Sequence, residues 1–137
     1  MKKFLIVMVI LLVGIQFIPV EQTNPRAEYD LIAPTEIKDI LRKACYDCHS
    51  NETKWGWYTK VAPISWLSAS DVKNGRKNLN FSNWGTMRPS EQDKMREEIW
   101  DQVRDEKMPL WQYRIMHPST KLSIEEKNKL RAWASSN

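Results

Sequence analysis

Cys45-Tyr46-Asp47-Cys48-His49 is a C-x-x-C-H pentapeptide, and it holds the only two cysteines of the 137-residue chain. Thiols at this spacing lie about one helical turn apart and project to one side. Such a pair suits thioether bonds to the two vinyl groups of a haem, with the next residue, His49, as ligand to the iron. Other thiol chemistries fit less well. A dithiol redox motif sits at a strand-to-helix turn in a βαβ pattern, which this sequence lacks. A zinc site takes three or four protein ligands, yet His117 is the only other imidazole and there is no second cysteine pair. A disulfide across two residues would close a very small loop and add little.

The amino terminus points to the same compartment from separate residues. Met1-Lys2-Lys3 precedes an apolar run from Phe4 to Val20, broken only by Gln16. A basic flank followed by an apolar stretch is an export signal. No small-x-small cleavage site closes the run, and no cysteine follows it to carry a lipid. About 17 apolar residues is the lower limit for a spanning helix. The expectation over residues 1–20 is an uncleaved membrane anchor helix, with a cleaved signal peptide as the alternative. Lys2 and Lys3 would then stay inside and the remainder would lie outside, on the periplasmic side, where covalent haem attachment takes place.

Residues 21–30 (EQTNPRAEYD) are polar and predict a linker, leaving 31–137 for one domain. Seven tryptophans offer much ring area to a core or to a flat cofactor. The formal charge of +4 falls to about +2 without Lys2 and Lys3, and no basic cluster is interleaved with aromatics. No nucleic-acid partner is expected. The expected contacts are redox proteins, and the membrane through the N-terminal segment.

The domain pattern is helical throughout. Thr35 is the predicted N-cap of a first helix, on which Ile37, Ile40, Leu41 and Ala44 recur at helical spacing up to Cys45. Asn51 to Val61 reads as a loop. Pro63 opens a second helix to about Lys77, with Ile64, Trp66, Leu67 and Val72 as its apolar members. Ser90 and Asp93 resemble a capping box for a third helix, with Met95, Ile99 and Val103 on its buried face and Trp100 beside them. Ser123 and Glu126 form a full capping box for a last helix to about Ala134, striped by Ile124, Leu130 and Trp133. No alternating strand pattern of useful length is present. The predicted class is all-α: a cytochrome c-like domain of about four helices around one covalently bound haem c, preceded by an apolar signal or anchor helix.

The sixth iron ligand is the open question. Met108 precedes Pro109 in the loop between the last two helices, and an extended backbone there can hold a thioether over the ring. Met95 falls on a buried helix face and suits the core. His117 also precedes a proline and is the rival ligand; an open sixth site is the third option. Methionine opposite histidine raises the potential relative to two histidines, and an open site permits ligand binding.

Several blocks together resemble a small haem-binding domain family of exported bacterial proteins. They are Ala44–Ser50, Trp55-Gly56-Trp57-Tyr58, Ala62–Trp66, Asp71–Arg76, Asn80–Trp84, Met108-Pro109, Tyr113, His117-Pro118 and Leu122-Ser123. The resemblance implies a monohaem c-type domain with Cys45 and Cys48 as thioether sites, His49 as proximal ligand and Met108 as distal ligand. It makes the Pro63 carbonyl a candidate acceptor for the His49 ring N–H. It makes Arg76, Asn80, Trp84 and Tyr113 candidates for propionate contacts or pocket walls.

The expected function is electron transfer on the exported side of the cytoplasmic membrane, without enzymatic activity. No G-x-S-x-G, H-E-x-x-H or glycine-rich phosphate loop is present. The alternative is a haem-based ligand sensor or small-molecule binder whose sixth site is open or weakly held.

Overall fold

A computed structural model describes residues 1–136; Asn137, the last residue of the expected domain, lies outside them. Among the described residues every regular element is helical: α1 (Lys2–Gly14), α2 (Thr35–Ala44), α3 (Tyr46–His49), α4 (Ile64–Asn78), α5 (Pro89–Arg104), α6 (Trp111–Met116) and α7 (Ile124–Ala134). Short 3-10 turns occupy Ile15–Phe17, Trp57–Lys60, Phe81–Thr86 and Pro118–Thr120. The all-α expectation holds, with seven helices among the described residues in place of about four preceded by an N-terminal one. The four expected elements are α2, α4, α5 and α7. The additions include α3, which is the C-x-x-C-H motif itself, and the six-residue α6, too short to show a period.

The expected anchor helix requires correction. Helix α1 has 13 residues, about 20 Å at 1.5 Å per residue, against a hydrocarbon thickness of about 30 Å. No helix among the described residues is long and apolar enough to cross a membrane. The helix gives way to the Ile15–Phe17 turn, where the Gln16 amide donates to the Leu12 and Ala62 carbonyls and accepts from the Ala62 N–H. Residues 21–30 are tied to the body of the domain. The Asn24 amide donates to the Thr53 carbonyl, the Asn51 amide to that of Arg26, and the Tyr29 N–H to that of Ser82.

The core lies between α2, α5, α7 and the Phe81–Thr86 turn. Ile37, Ile40, Leu41 and Ala44 of α2 are all buried, as their spacing predicts. They meet Ile99, Val103, Leu130 and a row of rings. Tyr46 stacks on Phe81 (centroids 4.9 Å apart), Phe81 on Trp84 (6.1 Å), and Trp84 leans on Trp133 (6.2 Å). Phe81, Leu41 and Leu130 are essentially sealed from water, which contributes about 1.5–3 kcal/mol for each such side chain. Lys43 of α2 pairs with Glu126 at the start of α7 (2.7 Å). There the expected capping box is in place: Ser123 Oγ accepts the Glu126 N–H, and the Glu126 carboxylate accepts the Ser123 N–H.

Several helix details differ from expectation. Pro34 rather than Thr35 is the N-cap of α2, and Ile124, expected in the apolar stripe of α7, is exposed. Helix α5 begins at Pro89 rather than after Ser90, with Glu91 accepting the Arg88 N–H. Proline suits a first helical position because its missing N–H is not needed there. In α4 the buried residues are Ser65, Val72 and Gly75, while Ile64 and Leu67 face outward. At Gly75 that face carries no side chain because α4 lies there directly on the backbone of α3. A Cβ at Gly75 would stand 2.4 Å from the Cys48 carbonyl oxygen.

Candidate functional site

A cavity of ≈ 470 Å³ opens between α3, α4, α5 and the segment from Met108 to Tyr113. Cys45, Cys48 and His49 line one side, with Gly75 and Leu79 of α4 and its end. Met95, Ile99 and Val103 of α5 face them, together with Met108, Pro109, Leu110 and Tyr113. The size falls within the usual range of cofactor pockets, and the lining is largely apolar.

His49 is held in a defined state. Its Nδ1 stands 3.1 Å from both the Gly75 and the Leu79 carbonyl oxygens. Both partners accept only, so Nδ1 carries the proton and Nε2 keeps its lone pair. Burial lowers the pKa of this ring, the two carbonyls opposing the shift, so the neutral form is favoured. A neutral imidazole with Nδ1–H donated to backbone carbonyls is a well-oriented metal ligand.

The thiols differ from those of a redox dithiol. Burial pushes the Cys45 thiol up to about 12, with the neighbouring Cys48 adding to the shift. Burial likewise pushes Cys48 up to about 12, reinforced by Asp71 and Asp47. Reactive dithiols have depressed values. The two cysteines are not joined to each other. Among the described residues, no group of three or more His, Cys, Asp or Glu side chains is placed to hold a metal ion, which counts against zinc.

Two thioethers also line the cavity. Met95, expected in the core, lines the cavity and also packs against the core cluster. Met108 sits past the end of α5, in the loop that leads to α6. That helix end is a Schellman stop: the Lys107 N–H bonds the Gln102 carbonyl and the Glu106 N–H that of Val103, with Glu106 at φ 56°. The Met108 N–H also bonds the Gln102 carbonyl (3.1 Å). His117 does not line the cavity; its Nε2 pairs with the Tyr58 hydroxyl and its ring stacks on Tyr113 (4.4 Å).

Of the remaining expected residues, only Tyr113 lies in the cavity wall. The Pro63 carbonyl accepts the Trp66 N–H (3.1 Å) at the start of α4, so it does not orient His49; Gly75 and Leu79 do. Arg76 donates to the Ser50 and Thr23 carbonyls, the Asn24 amide oxygen and the Thr53 hydroxyl, pinning the loop after His49. Asn80 caps the Phe81–Thr86 turn by accepting the Ser82 N–H, and its amide donates to Asn51. Trp84 is in the ring row of the core. Sequence reasoning missed Asp47, Gly75 and Leu79, whose partners lie far along the chain. A glycine inside a helical pattern was the one available signal.

Comparison with known proteins decides the family. The sequence matches the haem-binding domain family over residues 10–136. The chain belongs to that family. The match spans nearly the whole chain, including residues 21–30, and the haem-binding domain is therefore the frame for the cavity. No curated protein and no solved structure matches it. The residues present fit haem: a largely apolar lining, two thiols three positions apart in the chain, and an imidazole whose Nδ1–H is donated to backbone carbonyls, leaving Nε2 to serve as ligand.

Proposed function

We propose that this haem-binding domain is a c-type electron carrier, with one haem attached through Cys45 and Cys48 and ligated by His49 and Met108. The observation that carries the reading is that one cavity gathers both thiols, the imidazole and the Met108 thioether. Bound haem would supply one-electron chemistry at iron, and a methionine–histidine ligand pair would give it a higher potential than two histidines. The chain contributes position and surroundings. The Gly75 and Leu79 carbonyls fix the His49 ring, which makes it the better donor. Ile99, Val103 and Leu110 exclude water from the cavity wall, and a drier site favours the less charged oxidation state. Asp71 and Glu98 also line the cavity and favour the more positive one.

The proposed location follows from the chemistry: thioether attachment is made on the exported side of the cytoplasmic membrane, so the domain works there. Its proposed partners are redox proteins, and the role is carriage rather than catalysis.

Acid–acetone extraction of protein coexpressed with a c-type maturation system tests attachment. The haem should stay with the chain and give a c-type pyridine haemochrome spectrum, while Cys45→Ser/Cys48→Ser should release it. Extraction of haem from the unaltered protein would defeat the covalent reading.

A further inference from the structure

The second variable residue of the C-x-x-C-H motif reaches across to the Met108 side of the cavity. The Asp47 carboxylate accepts the Tyr113 hydroxyl through Oδ2 at 2.6 Å, and the Lys54 N–H through Oδ1 at 3.1 Å. Tyr113 lies on α6, five residues beyond Met108, and its side chain forms part of the cavity wall. A hydroxyl-to-carboxylate contact this short belongs to the stronger class of hydrogen bonds.

What gives this bond leverage is the poverty of other ties on α6. None of its residues is buried, and Trp111, Ile115 and Met116 are exposed. Among the described residues its polar attachments to other parts of the fold are Tyr113 to Asp47 and, just past its end, His117 to Tyr58. The Tyr113 ring also stacks on His117, so the two attachments brace each other. Burial and the adjacent Asp47 both raise the Tyr113 pKa, which keeps the phenol protonated and able to donate.

We propose that the Asp47–Tyr113 hydrogen bond is a latch that holds the Met108 segment closed over the iron, joining the distal segment directly to the haem-attachment motif. Asp47 and Tyr113 are positioning residues that act through Met108, and the latch rests on the ligand assignment made above. With the latch intact the sixth position is kept by the chain. With it open, a small neutral ligand such as carbon monoxide gains access.

The test uses the full haem-loaded chain, reduced, with carbon monoxide binding followed by absorbance and helicity followed by far-UV circular dichroism. Tyr113→Phe removes one oxygen and leaves the ring stack. It should bind carbon monoxide on the order of tenfold faster than the parent, the scale of one charged hydrogen bond, with helicity unchanged. Asp47→Ala, which removes the acceptor altogether, should do the same, and serves if the first variant fails to load haem. The double variant should be no faster than the faster single, because both break one bond. Additive rates would overturn the latch. Met108→Ala separates the two claims: fast binding there with parental rates in Tyr113→Phe and Asp47→Ala sinks the latch and spares the ligand assignment. Parental rates in Met108→Ala sink both.

Discussion

On the attachment side of the cavity, His49 meets two backbone carbonyls, and α4 approaches so near that only hydrogen fits at Gly75. Arg76, one residue on, donates four hydrogen bonds that pin Ser50, Thr53, Thr23 and Asn24. On the opposite side, Met108 follows a helix end whose left-handed position is a glutamate, and leads into a helix with no buried residue. The first side is over-determined and the second rests on a few polar contacts. For the proposed electron carrier this is a serviceable division: a proximal ligand at His49 would be held still, while a distal one at Met108 would set potential and access.

The sharpest way to break the comparison is at Gly75. Gly75→Ala places a carbon against the Cys48 backbone, where no side-chain rotation relieves it. The better helix propensity of alanine offsets part of the cost. A net loss of about 2–3 kcal/mol is expected, lowering Tm by roughly 10 °C in thermal unfolding. An unchanged Tm would show that α4 slides freely on α3, and the attachment side would then be no tighter than its counterpart.

A smaller, spectroscopic test concerns which thioether the distal side offers. Met95 is fixed on α5 against the core; Met108 hangs in the loop. Met95→Leu conserves volume and should cost under about 1.5 kcal/mol, leaving the ferric absorbance spectrum unchanged. Met108→Ala should shift that spectrum. The reverse outcome would put the distal ligand on a rigid helix, and the contrast between the two sides would disappear.

How far each side was legible in the sequence follows from the range of its contacts. Cys45, Cys48 and His49 lie within five residues, and Ile37 to Ala44 repeat at one period, so the motif and α2 were readable directly. The capping box at Ser123 and Glu126 is equally local. Pro63 failed as a partner for His49 because proline at a helix start already has its carbonyl engaged in the first turn. Arg76, Asn80 and Trp84 are structural for a similar reason: chemistry suited to a propionate also suits a loop, a cap and a core, and residue type alone does not separate them. Asp47 was invisible because its partner is 66 positions away. The anchor expectation counted apolar residues without seeing that Gln16 bonds to Ala62 and that α1 ends at Gly14.

The end of α5 was hidden in another way, and it supplies the smallest test. A Schellman stop usually announces itself with glycine, and here Glu106 takes that place at φ 56°. Left-handed backbone is unfavourable for a residue with a Cβ, whereas glycine enters it freely but loses more entropy on folding. Glu106→Gly also removes the exposed pairing with Lys127 (3.1 Å), a contact of a class that contributes little. The balance favours a rise in Tm of a few degrees, with the haem spectrum unchanged because the loop keeps its path. A fall in Tm would mean that the glutamate's contacts outweigh the strain, so the distal loop is held more firmly than its sparse bonding suggests. A spectral shift would go further: it would tie the position of Met108 to the conformation of one residue two places before it, and make the Schellman stop, alongside the Asp47–Tyr113 bond, a determinant of the distal side.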